Sequence, residues 1–146
     1  MHFLEKLKPV SLLFLRWGIA IIFLFHGYPK LTHIRQWIQN FQHMGFPGYF
    51  AYIAGVLEVF GSVLLIVGLF TRISALLLAG EMAVAIWRVH LPQGTFFDVG
   101  NYQLPLALAV GSFAIATVGA GLFSLDYLIF GAGRAAFRRS KPRDSR

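Results

Sequence analysis

The chain has 146 residues, of which 57% are hydrophobic and only 13% charged, with a mean hydropathy of +0.65, no cysteine and a formal net charge of +7. A soluble domain runs at about 45–50% apolar and about 25% charged, so this composition excludes a soluble domain and leaves a polytopic membrane protein. It also excludes a nucleic-acid-binding face, which needs Lys and Arg interspersed on a hydrated surface, and a disulfide framework, a thiolate metal site or a Cys-X-X-Cys redox pair.

Four segments approach the length of about 20 mostly apolar residues that crosses a bilayer: 9–28, 49–70, 72–91 and 103–118. The first carries Arg16 and is expected to stop at Pro29. It follows Lys6 and Lys8, but Arg16 interrupts its apolar run and no small-residue cleavage site succeeds it, so it reads as a retained helix and not as a signal peptide. In the loop that follows, Ile34, Trp37, Ile38 and Phe41 stand at i, i+3, i+4 and i+7, with His33, Arg35, Gln36, Gln39 and Asn40 on the other side. That spacing predicts a short amphipathic helix lying in the interface plane.

Between the second and third spans only Gly68-Leu69-Phe70-Thr71-Arg72 is available, so the two form an antiparallel hairpin. Gly68 is expected as the C-cap of one helix and Thr71 as the N-cap of the next. After the fourth span, Ser124 to Phe130 is too short to cross, and Ser124 is its expected N-cap. The fold class is therefore all-α, a four-helix transmembrane bundle over residues 1–133. The basic tail 134–146 carries six basic residues and one acidic. Nine of the thirteen Lys and Arg fall on the side of the termini, which predicts cytoplasmic termini by the positive-inside rule. Such a tail favours anionic lipid.

Ionisable residues within spans are costly and normally face a bundle interior. Arg16, Glu58 and Glu81 are the three, and the expectation is one buried charge cluster, either a structural lock or the core of a site. Gly55 and Gly61 flank Glu58 and open a groove for a neighbouring helix or a flat ligand. Toward the opposite end His26, Lys30, Arg88, His90, Asn101 and Gln103, with Asp98 and Tyr102, would form a polar mouth. Helical projection, however, sets His90 opposite Glu81 unless Pro92 has unwound the turn. No metal set is evident. A haem would have only His26 and His90 to hold it, and a lone His near a helix end is more often a hydrogen-bonded interfacial residue. The 15 Phe could line a quinone pocket, although most are expected to face lipid. No P-loop, GxGxxG or HExxH motif is present.

The same residues resemble the DoxX family. Leu15-Arg16, His26-Gly27-Tyr28-Pro29-Lys30, Gly45-Phe46-Pro47, Gly55-Val56-Leu57-Glu58, Gly68-Leu69-Phe70-Thr71-Arg72, Glu81-Met82, His90-Leu91-Pro92-Gln93-Gly94 and Ser124-Leu125-Asp126 look like its successive motifs, in order along nearly the whole chain. The resemblance implies a four-helix protein of the bacterial inner membrane. The related DoxD subunit belongs to a thiosulfate:quinone oxidoreductase, and some members are associated with membrane-bound oxidative-stress complexes. Where the family carries a Gly-Gly/Tyr-Glu run before the fourth helix, this chain has Gly100-Asn101-Tyr102-Gln103, an amide in place of a carboxylate. The function expected is a small subunit or module of a quinone-linked membrane oxidoreductase, in contact with lipid and with membrane or soluble redox partners. The alternatives are a non-catalytic carrier or binding protein for a small molecule or ion, and a structural scaffold. Self-association is left open.

Overall fold

The computed structural model describes residues 2–95, 97 and 99–131, with the side chains of 2–4 left aside. The basic tail 134–146 and Asp98 lie outside the described residues. Five α-helices follow in order: α1 (His2–Thr32), α2 (Ile34–His43), α3 (Phe50–Val67), α4 (Thr71–Ala85) and α5 (Val99–Val118). A π-turn (Ile86–His90) and a 3-10 turn (Leu91–Gln93) extend α4, and a second π-turn (Tyr127–Gly131) lies past α5. No strand occurs among the described residues. Helices α1, α3, α5 and the extended α4 are each long and apolar enough to cross a membrane, so the protein is an all-α, four-span bundle.

Packing follows the small residues. Ile19, Ala20 and Phe23 of α1, Leu65 of α3, Ala75, Leu78 and Met82 of α4, and Leu108 and Ile115 of α5 form the buried core. Gly61 lies against Leu78, and Gly111 against Ile19. Phe14, Phe25, Phe60, Phe113 and Trp87 stand outward, Phe25 at 75% exposure. An apolar belt of this kind has lipid as its solvent. The groove beside Glu58 is filled by the protein itself, since Gly55 receives Leu31 and the Lys30 stem while Gly61 receives Leu78. The close approach is used for helix packing.

Four boundaries differ from expectation. Pro29 does not stop α1, which continues to Thr32. Proline removes one helical donor, but the turn beyond it is held by His33 N–H donating to the Pro29 carbonyl (2.9 Å) and by Leu31 packed on Gly55. The cap of α4 is not Thr71. Phe70 takes the cap position with φ +48°, the Thr71 hydroxyl is buried without a hydrogen-bond partner, and the capping acceptor comes from far along the chain, as described below. Finally, α4 gives way to a π-turn at Ile86, and α5 begins at Val99, before the expected 103. Gly68 does close α3, in the left-handed region at φ +74°. Ser124 accepts from Tyr127 N–H at 3.1 Å, the expected start of the last helical turn.

Candidate functional site

The ionisable residues within the spans separate into two groups at opposite ends of the bundle. Arg16, 1% exposed, does not join the carboxylates. Its guanidinium donates to the carbonyls of Ala120, Phe123 (2.7 Å) and Ile66 (3.4 Å), tying α1 to the ends of α3 and α5. Trp17 adds an indole N–H to the Ile66 carbonyl at 3.1 Å. Asp126 completes this end. Its two carboxylate oxygens accept from Phe70 N–H (2.8 Å) and Thr71 N–H (2.9 Å), capping α4, while its own N–H donates to the Gly68 carbonyl at 2.8 Å. A carboxylate at a helix N-terminus satisfies orphan donors and complements the helix dipole. Gly68 is required here twice over, by its positive φ and because a Cβ would lie 2.5 Å from that of Ser124. Arg72 donates to the Val118 carbonyl at 3.4 Å.

The carboxylates belong to the other end. Glu58, 1% exposed, pairs with Lys30, whose ammonium donates to Oε2 at 2.6 Å. The pair forms because α1 and α3 touch at Gly27, where a Cβ would sit 2.6 Å from the Glu58 Cβ. From Gly27 down to Arg16 is about 16 Å along a helix rising ~1.5 Å per residue, which separates Arg16 from the expected cluster. Lys30 also lies 5.5 Å from the Trp37 ring, a cation–π contact. Glu81 of α4 lies within Coulombic reach of both Lys30 and Glu58, and its Oε2 is buried with no hydrogen-bond partner.

Lys30 and Glu81 line a cavity of about 340 Å³, within the ~300–1,000 Å³ range of small-molecule sites. Its walls come from α3 (Phe50, Ile53, Ala54, Leu57) and α4 (Leu77, Gly80, Val84, Ala85), and Trp37, Phe41, Met44 and Phe46 of the amphipathic α2 region close it. The chamber is apolar apart from Lys30, Glu81 and His90.

His90 reaches this cavity because of the π-turn. A regular α-helix would place it opposite Glu81, and the i→i+5 winding of residues 86–90 changes that register. Its Nδ1 is 2.9 Å from the Ala85 carbonyl and so donates there, which makes Nε2 the free ring nitrogen. Asn101 donates to the His90 carbonyl at 2.9 Å and holds the turn in place.

Of the remaining mouth residues, Arg88 is exposed, 5.8 Å from both the Phe46 and Trp87 rings, and stands at the rim. His26 is exposed with Nδ1 donating to the Ile22 carbonyl of its own helix, yet remains within Coulombic reach of Glu58. Gln103 is exposed on α5, which contributes no described residue to the cavity. Among the described residues no group of three or more His, Asp or Glu is placed to hold a metal ion. Two contributors escaped the sequence reading. The Lys30–Glu58 pair lay in plain sight as cationic and anionic residues of adjacent spans, and the α2 aromatics were legible only as an amphipathic face.

These features define a multi-pass membrane protein with an apolar cavity at one end of a four-span bundle. The DoxX family model matches residues 11–91, and the chain belongs to the DoxX family. An uncharacterized protein of Haemophilus influenzae is 36% identical over 89% of this chain and 98% of its own length. A Bacillus subtilis protein named "Putative oxidoreductase CatD" is 33% identical over 87% of this chain and 92% of its own. The Escherichia coli inner membrane protein YqjF is 27% identical over 86% and 97%. No solved structure matches.

Proposed function

We propose that this protein is a small membrane module of an oxidoreductase system and that its cavity binds a quinone. One observation carries the reading: in an otherwise apolar, aromatic-lined chamber of about 340 Å³, a lysine donor and a buried, unpartnered carboxyl oxygen face the same space. A quinone is a flat apolar ring with oxygens at opposite edges. It calls for apolar walls and a few placed polar groups. An ammonium has three donors, and Glu58 takes one from Lys30, which leaves donors for a ring oxygen. The name of the CatD relative points the same way. The quinone would supply electron transfer when bound. The residues of this chain would hold the ring, orient its oxygens and exclude water. In this reading the protein sits in the bacterial inner membrane with both termini cytoplasmic, which a reporter fused after Arg146 would check.

The test is binding. Protein purified in mild detergent should carry extractable quinone, and a short-chain quinone should raise its melting temperature by several degrees. Lys30→Met should abolish that shift. An extract free of quinone together with no shift on adding the short-chain compound would remove the reading.

A further inference from the structure

Of the three polar residues of the cavity, Lys30 and Glu81 are not equivalent. Lys30 is already engaged, by Glu58 at 2.6 Å and by the Trp37 ring at 5.5 Å. Glu81 is not: its Oε2 is buried and has no hydrogen-bond partner. The cavity atom that is buried with no partner at all is therefore an acceptor, while Lys30 keeps donors beside a bond already made. A hydroxyl can satisfy that acceptor by donating, whereas a carbonyl oxygen would meet it lone pair to lone pair. Resting on the quinone reading above, we propose that Glu81 is the specificity-determining residue of the cavity and that it selects the hydroxyl-bearing, reduced form of the ring over the carbonyl form.

A site built around a hydrogen-bonding group discriminates strongly against a ligand lacking the partner, because the buried group is then left unpaired. The ionised carboxylate only accepts, while the protonated acid can also donate. The preference for the reduced form is therefore greatest at high pH and narrows as pH falls. Other ionisable groups lie around the same space. Lys30 lines it from α1 and His90 from the end of α4. Glu58 of α3 is paired to Lys30 behind the wall, Arg88 stands against Phe46, and His26 lies near Glu58. The control for all of them is Glu81→Gln, which removes titration at one position only. Its amide both accepts and donates at every pH.

Three probes are titrated into the full-length protein in detergent under anaerobic conditions: a short-chain quinone, the same compound reduced to its quinol, and a redox-inert alkylphenol. At pH 8 the wild type should bind the quinol at least tenfold more tightly than the quinone. The ratio should shrink at pH 5.5. Glu81→Gln should bring the two forms within threefold of each other at both pH values. Glu81→Met should weaken quinol and alkylphenol alike, with melting curves and gel filtration showing that each variant is folded. Equal binding of both forms by the wild type, tighter binding of the quinone, or a ratio unchanged in Glu81→Gln overturns the proposal. The alkylphenol separates it from the reading it rests on. If that probe binds in a Glu81-dependent way and neither quinone form does, hydroxyl selection stands and the quinone assignment falls. If none of the three binds, both fall.

Discussion

The two ends of the bundle use charge in opposite ways. At the end bearing Arg16 and Asp126, both charged groups bond to backbone. Arg16 donates to three carbonyls, and Asp126 accepts from two N–H groups and caps a helix some 55 residues away in sequence. At the α2 end, Lys30 and Glu58 satisfy each other, Glu81 is left with an oxygen unpaired, and Lys30 and Glu81 border a space instead of filling it. Each end keeps unpartnered buried polar atoms, Arg16 Nε and the Thr71 hydroxyl at the first and Glu81 Oε2 at the second. The difference lies in what the charges hold: bonds to backbone fix a structure, whereas a carboxyl oxygen facing a cavity has capacity for a further partner. The buried charge at the first end therefore reads as construction and that at the second as function.

The sharpest way to break that division is Arg16→Met. It removes the donor from the Ala120, Phe123 and Ile66 carbonyls together. Each buried carbonyl left without its donor costs about 1–3 kcal/mol, and several lose it at once. The melting temperature in detergent should fall by more than for any other single change considered, while quinone binding in the folded fraction stays within threefold. An unchanged melting temperature, or selective loss of binding, would erase the distinction between the ends. Lys30→Met should come next. It leaves Glu58 buried without its donor, at about 1–3 kcal/mol for an unsatisfied buried group. The double variant Lys30→Met/Glu58→Met should recover most of that loss, because an apolar pair of similar volume replaces a buried ion pair at little cost. Binding should be absent in both, and recovery of stability without recovery of binding marks the pair as part of the site.

The sequence was informative about the spans and misleading about their charges, for one physical reason. Hydropathy and helical period report which segments are helices, and Ser124, Gly68 and the amphipathic 34–43 segment were readable because caps and faces are local. Partner choice between spans is not local. Arg16, Glu58 and Glu81 are the ionisable residues most deeply placed by counting along each span, so they invite a single cluster. The actual depths are set by where helices touch, and Gly27 on the Glu58 Cβ brings Lys30, not Arg16, to the carboxylate. Asp126 gave no signal as a cap because its target lies on another hairpin. The placement of His90 in the cavity needed the π-turn, which Pro92 only hinted at.

Asp126→Ala tests the first end more gently. It removes an N-cap, worth about 0.5–2 kcal/mol, together with the tether of the last segment to the 68–71 turn. The expected result is a melting point lowered by less than in Arg16→Met, with faster hydrogen exchange at the start of α4 and no change in the cavity's ligand affinity.

The smallest effect, and the only one expected to have the opposite sign, belongs to Glu81→Met. Elsewhere in the bundle, deleting a charge removes bonds. Here the deleted carboxyl has one oxygen that is buried and unbonded. Such a group costs stability, and methionine, flexible and of similar length, fills the space beside Leu77 and Val84 without a polar atom to satisfy. Stability should therefore hold or rise by about 0.5–1 kcal/mol while quinol affinity drops at least tenfold. A residue retained against stability in this way is kept for what it binds. If Glu81→Met instead destabilises the fold as Lys30→Met does, the carboxyl is tied into the network through the oxygen that remains. The two ends then differ in degree and not in kind.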